Sequence, residues 1–202
     1  MRMGIRRSQG DIRPQGAVRD HSLVAAWGFA EATFFFVVPD AWTSWVGLRK
    51  PRRALGTTVS ALGGAMAGGA VTYAWSRRTG AAASRAALVK VPGITEGMIA
   101  EVEDEVADTG HTALMRGPWR GVPYKIYARS SGLQRKSLLN FLAWSVPGRL
   151  IRFVVVTLIA SGIATGARRA FPGIPEKLIS GIFLGCWSVF YAWFVPAVSR
   201  RR

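Results

Sequence analysis

The sequence predicts an all-α, polytopic helical membrane protein, and three observations predict it. Half of the 202 residues are apolar against 19% charged. That apolarity is gathered into uninterrupted runs: Ala54 to Ser76 is 23 residues without a charge, and Leu178 to Ser199 is 22. Each run suffices to cross a hydrocarbon core of about 30 Å as a helix, which takes about 20 residues. The cations behind a formal charge of +16 cluster at the ends of such runs, where they meet headgroups and anchor helices. In a soluble protein that charge would point to nucleic acid; this placement argues against such a partner.

Residues 1–21 carry Arg2, Arg6, Arg7, Arg13 and Arg19 but no short apolar region and no small-residue cleavage site. They are expected to be a flexible basic tail, not a signal peptide. A membrane domain is expected over 22–199, with a basic tail over 200–202. Its first block, 22–48, is apolar except for Glu31 and Asp40. Proline has no N–H to donate and clashes with the preceding turn, so Pro39 should divide this block into a helix from Leu23 to Val38 and another from Ala41 to Leu48. The pair could form one kinked crossing or a hairpin that enters and leaves on one face. Either way, the broken backbone should be covered by protein or line a wet cavity. Lys and Arg divide 20 to 7 between the two faces if the block crosses and 12 to 15 if it returns, so the positive-inside rule favours a crossing.

The second block places Gly64 and Gly68 at GxxxG spacing, which lets helix backbones approach closely and predicts a central helix. Residues 94–109 alternate differently: Met98, Ile99, Val102 and Val106 form one stripe, while Glu101, Glu103, Asp104, Glu105 and Asp108 fill the other side. This is the pattern of an amphipathic helix outside the membrane, solvated on its acidic face. The acids lack the regular spacing of a metal loop and no histidine accompanies them, so neither metal nor cofactor is expected. The stretch MRGPWRGVPYKIYARSSG, 115–132, then sets Arg116, Arg120, Lys125 and Arg129 around two prolines. Pro123 is expected to mark a second helix break, with Arg129 an ordinary interfacial charge. SLLNFLAWS and VPGRLIRF lead into a charge-free run from Phe153 to Ala167, a turn spans Arg168 to Pro175, and the last apolar run follows. Cys186 is the only cysteine, so no disulfide forms within the chain, and it reads as a packed thiol.

The candidate chemistry lies at a few charges in apolar surroundings. An ionised Glu31 near a bilayer centre would cost about 2.5–3.5 kcal/mol, so it must be paired, protonated or wet. It reads either as a proton acceptor or partner of a ligand-binding arginine, or as half of a structural ion pair with Arg149 or Arg152. Asp40 could share that charge-switching role or simply cap the second half-helix. Arg149 and Arg152, three residues apart, share a helix face. They suit either interfacial anchoring or phosphate, since the guanidinium fork gives parallel hydrogen bonds where Lys125 offers a point charge. Together, Arg116, Lys125, Arg149 and Arg152 would hold an anionic lipid headgroup while Glu31, with or without Asp40, responds to protons. An enzyme would need a nucleophile with a base, or a metal cluster; His21, His111 and Cys186 are placed for neither, so no enzymatic activity is expected. A scaffold whose broken helices serve only packing is the alternative.

Four segments, in order, resemble the DedA or SNARE-associated Golgi protein family, the VTT-domain proteins, and within it the YqaA-like branch. GFAEATFFFVVPD resembles the family's first broken helix, and GGAVTYAWSRRTG its Tyr-x-x-Gly-Arg-x-x-Gly segment through Tyr73, Arg77 and Gly80. VPYKIYARSSG resembles the branch's Pro-x-Lys segment through Pro123, Lys125 and Gly132, and GRLIRF its Gly-Arg-x-x-Arg-Phe run through Gly148, Arg149, Arg152 and Phe153. Gly69 stands where many members carry an acid. The resemblance implies two re-entrant hairpins, broken near Pro39 and Pro123, facing each other near the midplane. It also implies movement of a lipid, undecaprenyl phosphate or a phospholipid, across a bacterial inner membrane, with proton coupling in some members.

Overall fold

The computed structural model describes residues 14–199, so residues 1–13 of the expected basic tail and the tail at 200–202 lie outside it. Its elements are α1 (Pro14–Thr33), α2 (Asp40–Arg49), α3 (Pro51–Thr79), α4 (Ala81–Leu88), α5 (Glu96–Thr109), α6 (Tyr124–Leu133), α7 (Leu138–Ala170) and α8 (Glu176–Ser199). Two short 3-10 turns, Gly110–Met115 and Gly117–Trp119, separate α5 from α6, and no strand occurs among the described residues. Three helices are long and apolar enough to cross a membrane: α3, α7 and, in α8, Glu176–Ala197.

Small residues bring α1 and α3 into backbone contact. A Cβ added to Gly64 would lie 1.9 Å from the Ala25 carbonyl oxygen, and one on Gly68 2.5 Å from that of Phe29. The two helices run in the same direction. His21 Nδ1 meets the Ser60 hydroxyl at 2.7 Å near their beginnings, and the Thr72 hydroxyl donates to the Ala32 carbonyl at 2.8 Å twelve residues further along. α2 then carries the chain back, because Gly47 packs beside Ala54 and Ser161, and Asp20 meets Arg53 at 2.8 Å. The start of α1 and the end of α2 therefore lie at the same end of the bundle.

α7 runs opposite to α3. Phe141 stacks on Tyr73 at 6.2 Å near one end, and Thr157 donates to Thr43 of α2 at 3.0 Å toward the other. At the Tyr73 end, α6 lies along α3, with Gly132 against the Tyr73 carbonyl and Tyr124 against Gly69. α5 buries Ile99, Val102 and Val106 against this unit, and Thr95 caps it by accepting the Met98 N–H at 3.2 Å. α8 begins beside α2, where Arg49 meets Glu176 at 3.5 Å, and reaches the far unit near Gly93 and Gly121 through Phe194.

Several boundaries differ from the sequence expectation. α1 ends at Thr33 rather than Val38, and its helix begins at Pro14, inside the segment expected to be a tail. Proline restricts the residue before it and cannot answer the carbonyl four residues back, so the irregular stretch extends upstream of Pro39. Trp27 Nε1 donates to the Val37 carbonyl at 2.9 Å and holds that stretch in place. α7 is one 33-residue helix that passes through Pro147, joining the pieces read separately, and Arg168 and Arg169 belong to its last turn. The acidic face of α5 is exposed at Glu101, Asp104 and Asp108 as expected, while Glu103 meets Arg85 and Arg129, and Glu105 meets Arg116 and Arg120.

Candidate functional site

Pro39 has no N–H, so the Phe35 carbonyl, its would-be helical acceptor, is left free. Lys125 Nζ donates to that oxygen at 2.6 Å. Lys125 is the second residue of α6, which starts after Pro123 without a side-chain cap. The contact thus joins the two helix breaks directly. Around it lies a cavity of about 440 Å³, lined by Glu31, Phe35, Val38 and Asp40 from the first break and by Val122, Pro123, Tyr124 and Lys125 from the second. Arg149, Arg152 and Phe153 of α7 and an aromatic side of α8, including Trp187 and Tyr191, complete its wall.

Two ion pairs cross the cavity wall. Arg149 Nη2 donates to Glu31 Oε2, with both side chains under a tenth exposed, and Arg152 Nη2 donates to Asp40 Oδ2, with Asp40 at 2%. The Arg149 guanidinium also sits 4.3 Å above the Tyr124 ring and 5.1 Å from that of Phe153, contacts that favour a desolvated cation. Tyr124 is held in turn by donating to the Ser145 hydroxyl at 2.8 Å. Two buried polar atoms here lack a hydrogen-bond partner, Arg149 Nε and Asp40 Oδ1. The charged lining residues are three cations and two carboxylates. Each carboxylate is paired with an arginine, whereas Lys125, 1% exposed, donates to a neutral carbonyl and has no salt-bridge partner among the described residues. One positive charge is left without a matching anion.

Glu31, Asp40, Lys125, Arg149, Arg152 and Pro123 are therefore brought together, and the neighbours of Pro39 join them. Arg116 is not: its side chain is 65% exposed, 3.7 Å from Glu105, away from the cavity. The capping reading of Asp40 also gives way, since α2 has no side-chain cap and the carboxylate turns to Arg152. Arg129, expected at the interface, is fully buried. It donates from Nε to Ser84 at 2.9 Å and from Nη2 to the Ala81 carbonyl at 2.8 Å, and it pairs through Nη1 with Glu103, clamping α4 and α5 onto α6. Cys186 is exposed and lines the cavity from α8 rather than packing inside the bundle.

Sequence reasoning missed Tyr191, whose hydroxyl accepts the Val38 N–H at 2.9 Å and ties α8 to the first break. Nothing local to Tyr191 signals that contact, since its partner lies 153 residues away. Tyr124 had a signal, its place between Pro123 and Lys125. Among the described residues, no group of three or more His, Cys, Asp or Glu side chains forms a metal-ligand set. Comparison with protein-family models, curated proteins and solved structures finds no match to this chain.

Proposed function

We propose that the protein is a multi-pass membrane carrier that moves an anionic lipid across the bilayer, as the DedA-like resemblance implies. In this reading α3, α7 and α8 span the membrane, while α1 with α2, and α4 through α6, are re-entrant units meeting at mid-depth. The observation that carries the reading is the contact of Lys125 with the Phe35 carbonyl beside the Glu31–Arg149 pair. Irregular backbone at membrane depth is tolerated where it is buried in protein or lines a cavity, and here both breaks face one charged cavity. Charged groups inside a membrane protein mark substrate and ion paths, and half-helix ends directed at a central site are a carrier arrangement. The return of α2 to the starting end of α1 supports the re-entrant reading against the crossing that the charge count favours, and several of the counted cations are buried in the fold.

The lipid headgroup would sit against Lys125, Arg149 and Arg152. Glu31 and Asp40 hold the two arginines when the site is empty and yield them to the headgroup by displacement. The test is movement of tail-labelled lipid across liposomes containing the purified protein. Glu31→Ala and Arg149→Ala should each lower the rate about tenfold or more, equivalent to about 1.4 kcal/mol in the barrier; unchanged rates in both would end the carrier reading. A scaffold reading draws on the same ion pairs, which satisfy much of each other's charge. It predicts that Glu31→Gln is tolerated in cells while Gly64→Leu is not.

A further inference from the structure

We infer that the cavity selects a lipid headgroup bearing a single negative charge, and that Lys125 sets this selection. The inference rests on the carrier reading and deepens it. Glu31 and Asp40 already answer Arg149 and Arg152, so among the described residues the ionic group on the wall without a salt bridge of its own is Lys125. Three features belong to residues lining this cavity: the Lys125 ammonium, which has further N–H donors beyond the one on Phe35; the buried Arg149 Nε, which lacks an acceptor; and the N-terminus of α6, which has no side-chain cap and whose first N–H groups favour an anion. One negative charge here neutralises the lining. A second would again leave charge uncompensated in a low-dielectric space, where that is costly. At about 440 Å³ the cavity is at the small end of ligand pockets, which run from about 300 to 1,000 Å³. It suits a headgroup whose chains stay outside, so headgroup charge and not chain identity is what the wall reads.

The experiment uses the full chain in liposomes at pH 7.5, with three tail-labelled lipids of identical chains. Phosphatidylglycerol carries one negative charge, phosphatidic acid approaches two because a phosphomonoester has its second pKa near about 6, and phosphatidylcholine is net neutral. The wild type should move phosphatidylglycerol faster than either of the others, by on the order of tenfold. Lys125→Gln should erase the advantage over phosphatidylcholine, and Lys125→Arg should keep it. Asp40→Asn, which raises the excess to two positive charges, should shift the preference toward phosphatidic acid even if Lys125→Gln fails to fold. Equal rates for all three lipids in the wild type, or an undiminished phosphatidylglycerol preference in folded Lys125→Gln, overturns charge selection while leaving the carrier reading intact. Movement of none of them above protein-free liposomes removes the carrier reading, and this inference with it.

Discussion

Glu31 and Arg149 are 118 positions apart in the chain and share one buried contact. Removing one partner of such a pair strands the other charge, which costs about 3–5 kcal/mol, whereas replacing both is often nearly neutral. Glu31→Ala and Arg149→Met are each expected to destabilise the fold by that amount, and the double variant Glu31→Ala/Arg149→Met by clearly less than their sum, as read by unfolding in detergent; additive losses would show that the two do not act as a pair. Arg129→Ala should cost about 1–3 kcal/mol, because it takes the donors from the Ser84 hydroxyl and the Ala81 carbonyl and leaves Glu103 to Arg85 alone. A solvated surface arginine would show almost no effect. Glu31 was legible from sequence because a lone carboxylate in an apolar run demands a partner. Arg129 and Arg116 were not legible: both sit in the same cationic stretch, and only the packing of α5 decides which is enclosed and which faces water.

At the level of elements, the seam between α1 and α3 depends on glycine. Gly64→Leu and Gly68→Leu would drive side chains into the backbone of α1, and each is expected to destabilise by more than about 3 kcal/mol, beyond ordinary overpacking. Gly63→Leu is the control: no atom lies within 4 Å of its Cβ position, and its effect should stay within about 0.5 kcal/mol. Equal losses at Gly63 and Gly64 would refute the seam. The central helices were legible because charge-free length has one economical explanation, and the three long runs became the cores of α3, α7 and α8. Their ends were less so. Proline acts on residues before it as well as at its own position, so α1 stops five residues earlier than the position of Pro39 suggests. Pro147 breaks nothing: α7 continues past it, with Gly148 packed on the Leu114 carbonyl.

Across the whole molecule, the fold places Arg19 and Arg52 near one end and Arg78 and Arg135 near the other. In a Cys186→Ser background, single cysteines at Arg19 and Arg52 should react with an impermeant thiol reagent from the same face of the membrane, and those at Arg78 and Arg135 from the opposite face. Reaction of Arg19 and Arg52 replacements from different faces would make α1 with α2 a crossing. Counting cations could not reach this answer, since Lys125, Arg129 and Arg149 enter the count as loop charges yet are buried among helices. The pairing of distant charges also orders the molecule in time. Glu31 and Asp40 are made 118 and 112 residues before Arg149 and Arg152, an interval on the order of ten seconds at the usual pace of synthesis of about 5–20 residues per second. Through that interval the first hairpin carries two acids and no partner for either. α1 can already lie along α3 before then, but the two acids gain their counter-charges only when α7 emerges, so the charged site is completed late in synthesis.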